Sequence, residues 1–173
     1  STTLWGGGIV YLNGNIYTTQ NDSNNPIGVT TYASGVAGSS VTNLAASPAL
    51  SNAPAGGLIV GPDGNLWGTE QNNTKVFEIS TSGATKEYAI SCPNGTSGGS
   101  TGAANILGPQ TGITSGGGFV WSFCADVGGH NTANDYINQI TPSNGSVTTC
   151  NPPAAFQYGS FANGAIYSNG TLY

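Results

Sequence analysis

The sequence predicts an all-β fold built of β-propeller blades: about three full blades of four antiparallel strands, then the first hairpin of a fourth, in an incomplete ring. Three observations predict it. A hairpin signal recurs four times, as apolar residues, then Asn-Gly, Asp-Gly or Gly-Gly, then an aliphatic and an aromatic residue: Ile9 to Tyr17, Leu58 to Trp67, Gly116 to Trp121 and Ala165 to Tyr173. The closing aromatics Tyr17, Trp67, Trp121 and Tyr173 are separated by 50, 54 and 52 residues, a regular step that marks units stacked on one another. Between hairpins, short apolar runs alternate with turn residues, and four strands per step match a propeller blade. A β-helix needs much shorter coils, and an immunoglobulin-like sandwich does not repeat its own hairpin.

In the first repeat the candidate strands are Gly8 to Leu12, Ile16 to Gln20, Ile27 to Ala33 and Ser40 to Ala45. The second is the clearest, with strands over Gly57 to Val60, Asn65 to Glu70, Lys75 to Ser80 and Thr85 to Ile90. Pro62-Asp63-Gly64 makes its first turn, because Asp-Gly readily takes positive φ. Within Lys75 to Ile79, Val76 and Glu78 share one face while Phe77 and Ile79 share the other, so one face is more apolar. The third repeat offers Gly112 to Ser115, Phe119 to Ala125, Tyr136 to Thr141 and Val147 to Cys150. Only the opening hairpin of a fourth precedes Tyr173. Segments rich in Pro, Ala, Ser and Gly join the repeats, so residues 1–173 form one repeat domain with blades at about 6–45, 57–90 and 112–150 and a partial blade at 163–173.

Composition narrows the setting. Charged residues are only 5% of the chain, yet aromatics recur in register, so this is a folded protein and not a disordered one. A net charge of −5, no Arg, and only Lys75 and Lys86 as cations leave nothing to neutralise a phosphate backbone, which argues against nucleic acid and anionic membranes as partners. No apolar run reaches bilayer-spanning length, so membrane insertion is not expected. The start does not resemble a signal peptide, as in a mature, processed form. Scarce charge also suits an acidic medium, since few carboxylates are left to protonate.

Two features point outside the cell. Asn21, Asn72, Asn94, Asn144 and Asn169 each begin an Asn-X-Ser/Thr triplet in a predicted loop or turn, which makes them glycosylation candidates. Cys92, Cys124 and Cys150 allow one disulfide; Cys92 and Cys150 follow the last strands of successive repeats and are the candidate pair. The alternative is that all three are small buried residues. None has the CxxC spacing of a metal or redox site.

The loop Asp126 to Asp135 offers Asp126, His130, Asn134 and Asp135 as donors for a divalent cation, calcium or magnesium, against the plain reading of a solvated polar loop. Trp5, Trp67, Trp121 and the Tyr residues could stack on sugars at a channel mouth, although aromatics that recur in a repeat usually pack between its units.

The run Gly61-Pro62-Asp63-Gly64-Asn65-Leu66-Trp67-Gly68-Thr69-Glu70, followed by Lys75-Val76-Phe77-Glu78-Ile79 and Gly83-Ala84-Thr85-Lys86-Glu87-Tyr88, resembles a blade of the streptogramin B lyase (virginiamycin B lyase) β-propellers. The resemblance covers about Leu58 to Ile90, with a weaker copy in the third repeat. It implies a propeller fold. It also implies a relationship to enzymes that open a cyclic ester by elimination, using a His and a Glu beside a magnesium ion. Here the single His130 has no Glu-x-His context, and the position of Glu70 is taken by Gln20 in the first repeat and Cys124 in the third. No catalytic residue is therefore assigned, and Glu70 reads as a structural hydrogen-bond acceptor at a strand end.

These residues lead to the expectation of an extracellular or cell-surface propeller module with a structural, self-assembling or recognition role. Its partners would be the remainder of a longer chain or further copies of itself, with a glycan as a further candidate. The alternatives are a lyase-like enzyme fragment lacking its catalytic blades, metal-dependent if active, and a carbohydrate-binding adhesin.

Overall fold

The computed structural model describes residues 8–33, 36–37, 40–71, 73–91, 112–124, 136–150 and 166–173. Among the described residues every regular element is a β-strand. The first sheet runs β1 (Ile9–Leu12), β2 (Asn15–Thr19), β3 (Ile27–Ala33), all antiparallel. Two short strands share the outer edge of β3: β4 (Val36–Ala37) pairs with Tyr32 and Ala33, and β5 (Thr42–Leu44) with Ile27 to Val29. β5 falls within the strand expected over Ser40 to Ala45, and β4 is an additional short strand ahead of it.

The second sheet orders β6 (Pro54–Val60), β7 (Leu66–Glu70), β8 (Lys75–Ile79) and β9 (Thr85–Ala89). β6 begins earlier than the expected Gly57. Pro54 pairs with Glu70 and Leu58 with Gly68, so Ala55, Gly56 and Gly57 bulge opposite Thr69. Pro54 is tolerated because β6 is an edge strand with no ladder neighbour beyond it. The third sheet repeats the meander with β10 (Ile113–Gly116), β11 (Phe119–Cys124), β12 (Tyr136–Thr141) and β13 (Ser146–Cys150). A last hairpin, β14 (Tyr167–Ser168) and β15 (Thr171–Leu172), follows.

Turn chemistry fixes the hairpins. Asn13-Gly14, Gly117-Gly118 and Asn169-Gly170 hold positive φ at both central residues, the two-residue turn whose twist matches that of the flanking strands. The second blade differs. Gly64 (φ 80°) donates its N–H to the Gly61 carbonyl at 3.0 Å, and Asp63 receives both the Asn65 amide (3.2 Å) and the Trp67 indole N–H (2.9 Å).

The first strands of successive sheets, β1, β6, β10 and β14, touch one another in that order, and the Ser115 hydroxyl donates to the Val60 carbonyl at 2.9 Å across one such contact. They form the inner side of the array. Strand alternation then sends one face of each sheet forward to the next sheet and the other back to the previous one. In the first seam Val10, Leu12, Tyr17 and Ile27 meet Leu58, Leu66, Phe77 and Ile79. In the second, Ile59, Trp67, Val76 and Tyr88 meet Ile113, Val120 and Ile140. In the third, Trp121 stacks on Tyr167 with ring centroids 6.1 Å apart and an interplanar angle of 16°. The aromatics that close the hairpins therefore plug the following sheet in every seam.

Two glycines make room for these plugs. At Gly116 an added Cβ would lie 2.1 Å from the Tyr167 ring, so the ring rests directly on the backbone. At Gly68 it would lie 2.4 Å from Cζ of Phe77, which crosses β7 to reach the first seam. Gly68→Ala is expected to destabilise the protein by about 1 to 3 kcal/mol, the usual cost of overpacking. Thermal unfolding reads it, and the double variant with Phe77→Leu should recover only part of the loss, because the added Cβ also meets the Gly57 carbonyl oxygen at 2.9 Å.

Candidate functional site

The polar residues of the first two blades gather where the second strands end. Gln20, just beyond β2, donates from its side chain to Asn43 at 3.2 Å, and Gln71, just beyond β7, reaches Asn21 at 3.3 Å and the Pro54 carbonyl at 2.8 Å. Glu70 lies between these amides and is fully buried. One of its oxygens, Oε2, accepts the Asn52 backbone N–H at 3.0 Å and the Asn73 side-chain amide at 2.5 Å. The other, Oε1, has no donor among the described residues. The buried hydroxyls of Thr19 and Thr69, equivalent positions in the two blades, are likewise unpartnered among the described residues.

Beside Glu70 stands a second, more exposed carboxylate. Glu87 accepts from Lys75 Nζ, which is 2.5 Å away, and from both the backbone N–H and the hydroxyl of Ser51. Burial raises the Glu70 carboxyl to about 7, an effect reduced by Asn73 and reinforced by the neighbouring Glu87. For Glu87, burial also pulls upward, but Lys75 and the two Ser51 donors outweigh it and hold the group at about 2. Glu87 is thus held as the charged member of the pair, while burial biases Glu70 toward its protonated form. A proton on Glu70 also answers its unpartnered oxygen, because two carboxyl groups can bond only if one of them is protonated.

A second polar cluster lies inside the seam between the second and third sheets. Glu78 faces forward beside Trp67, where the first blade has Val29, and is nearly fully buried. It accepts from the Tyr88 hydroxyl, from Asn65 at 2.6 Å and from Lys86 at 3.4 Å. Burial, then the Glu78 hydrogen bond, keep the Tyr88 hydroxyl protonated well beyond the ordinary tyrosine range, so it remains a donor. Trp67 stacks on the same Tyr88 ring with centroids 4.9 Å apart. The alternation of Val76 and Glu78 places Glu78 on this face in the sequence, but only the fold brings Tyr88 and Asn65 to it. The cluster is a satisfied buried acid, a packing device and not a reactive one.

The other candidate residues distribute as follows. Asn21, Asn144 and Asn169 occupy exposed bends or turns; Asn72 and Asn94 lie outside the described residues. Cys150 is a free, exposed thiol at the end of β13, its Sγ 3.6 Å from the Ile137 carbonyl, and its candidate partner Cys92 lies outside the described residues. Asp126, His130, Asn134 and Asp135 are also outside them. Among the described residues no group of three His, Cys, Asp or Glu side chains is placed to hold a metal ion.

The two carboxyls give stability a definite pH dependence. The Glu70 contribution is present below about 4.5 and is lost as pH rises through about 7, because the folded state keeps a proton that the unfolded chain releases. The Glu87 contribution is present above about 4.5 and is lost as pH falls toward 2. Urea denaturation at a series of pH values should show maximal stability near pH 4.5 to 5, with a fall on the order of 3 kcal/mol by pH 8. Glu70→Gln should flatten the alkaline limb and leave the acid limb in place.

No family model matches the chain, and no curated protein matches it. Solved structures do. A streptogramin B lyase structure aligns with 26% identity and a TM-score of 0.55, over 85% of this chain and 40% of that one. Selenomethionine-substituted virginiamycin B lyase from Staphylococcus aureus aligns with 22% identity and a TM-score of 0.57, over 91% of this chain and 44% of that one. A catalytically inactive variant of the Staphylococcus aureus enzyme with quinupristin gives 22% identity and a TM-score of 0.56 over the same shares. The chain spans less than half the length of these proteins. It resembles them in fold, as a run of β-propeller blades.

Proposed function

We propose that this chain is an architectural propeller module acting outside the cell or at its surface, with a role that depends on association with further blades and not on catalysis. The observation that carries the reading is the backward face of the first sheet. Ile9, Tyr11 and Ile16 stand at the positions that Leu58, Val60 and Leu66 occupy in the second sheet, where the preceding blade covers them. On the first sheet Ile9 and Tyr11 are 65% and 61% exposed. An apolar face of this kind is a surface for another sheet. The exposed turns holding Asn21, Asn144 and Asn169 support the extracellular setting, since a glycan there would not disturb a seam.

The chemistry of the rim supports a non-catalytic role. A carboxyl that is to serve as base must reach the proton it removes, and Glu70 is fully buried, with Oε2 held by the Asn52 N–H and the Asn73 amide. The purified chain is expected to scatter light as particles heavier than its 17.3 kDa. A stable, freely soluble monomer at all concentrations would overturn the reading. Incubation with a cyclic depsipeptide and magnesium should leave the ring closed. Linearisation that Glu70→Gln abolishes would restore the enzyme.

A further inference from the structure

The seams of this molecule follow one rule, and both of its free ends obey it. A forward-facing aromatic three residues past the turn glycine of each hairpin enters the backward face of the following sheet: Tyr17 into the second, Trp67 into the third, Trp121 against the last hairpin. Tyr173 is the fourth member of that series, opposite Ile166 as Tyr17 is opposite Val10. These two residues are 75% and 69% exposed, so among the described residues nothing covers the fourth plug. Nor does any described residue plug the first backward face. It contains a shallow apolar hollow of about 270 Å³ lined by Ile9, Val10, Tyr11, Ile16 and Tyr32, with the Tyr11 and Tyr32 rings edge to face at 5.9 Å.

Resting on the architectural reading above, we infer that the hairpin β14–β15 of one copy of this chain docks on the backward face of β1 and β2 of a second copy, with Tyr173 and Ile166 as the inserted side chains and Ile9, Tyr11 and Ile16 as their seat. The contact reproduces the first seam, in which Val10 and Tyr17 lie on Leu58, Val60 and Leu66. A second copy is the fitting occupant because it supplies both halves of a geometry the chain already uses twice. Length agrees: one copy aligns with 44% of a lyase propeller, so two copies span most of one such ring. The side chains that would meet, Ile9, Tyr11, Ile16, Ile166 and Tyr173, are all uncharged.

The contact is head to tail, with a different patch on each partner, and this gives it a distinctive test. Tyr11→Arg spoils only the socket and Tyr173→Arg only the plug, and both residues are exposed enough to change without unfolding the sheet. Each variant alone should sediment as a monomer at concentrations where the unaltered chain assembles. Mixed in equal amounts, they should form a one-to-one heterodimer and nothing larger, because one intact plug and one intact socket remain. Assembly of the unaltered chain that Tyr173→Arg leaves untouched would overturn the inference while the architectural reading stands. So would native material in which a covalently longer chain covers the first sheet with its own later blade. An unaltered chain that stays monomeric throughout removes both.

Discussion

The structure depends on one contact repeated: a forward-facing aromatic side chain pressed into the apolar back of the next sheet. A single four-stranded meander of this size has two faces and only one layer, so it cannot bury either face alone. Tyr17, Trp67 and Trp121 solve this by linking each sheet to its successor. Full burial of one such side chain contributes on the order of 2 to 3 kcal/mol, comparable to a large fraction of the net stability of a small domain. Stability is therefore shared between neighbours, and a sheet that lacks one neighbour is left with an apolar face exposed.

The aromatic contact imposes demands on the chain around it. A ring that crosses the sheet must meet no Cβ, which is why Gly68 faces Phe77 and Gly116 faces Tyr167. The turn must deliver the strand in register, and the positive φ values at Asn13-Gly14, Gly117-Gly118 and Asn169-Gly170 do so in two residues. The link between the first two blades is held by backbone bonds, with Ala46 N–H on the Asn24 carbonyl at 2.8 Å and Ser47 N–H on the Gly83 carbonyl at 2.8 Å. Polar side chains here follow the seams; they do not interrupt them.

The hairpins, their period and most strand positions are legible in the sequence because each rests on local chemistry: Asn-Gly and Gly-Gly turns, alternation over four or five residues, and a recurring aromatic. Two strand details are not. The bulge at Ala55 to Gly57 and the additional strand β4 arise from pairing between strands, which no local pattern encodes. The candidate site was less legible still. Glu70 is visible as a strand-end acid, but its raised carboxyl depends first on burial, which the fold alone provides, and then on Glu87, seventeen positions later, which the Ser51 loop fixes as the charged partner. Glu78 reads as an ordinary charged residue until Tyr88 and Asn65 close over it.

The polar substitutions inside the seams also bear on why the blades stack in a set order. At the position of Phe77 in the second sheet, the third has Asn138, fully buried, whose side chain receives the Ser91 N–H at 3.1 Å and the Thr149 hydroxyl at 2.8 Å and donates to the Ser91 carbonyl at 3.2 Å. Ser91 follows the last strand of the second blade, so the amide reads the identity of its neighbour. Glu78, on the opposite side of that seam, is satisfied within its own blade by Tyr88, Asn65 and Lys86, so it does not depend on which blade docks. A purely apolar seam would accept any other apolar sheet face. One that contains Asn138 leaves an unbonded amide if the wrong blade docks, at a cost of about 1 to 3 kcal/mol per buried group left unsatisfied. The free face of the first sheet carries its amides, Gln20 and Asn43, bonded to each other at 3.2 Å, so neither depends on a partner in a docking blade, and this makes that face permissive where the second seam is selective.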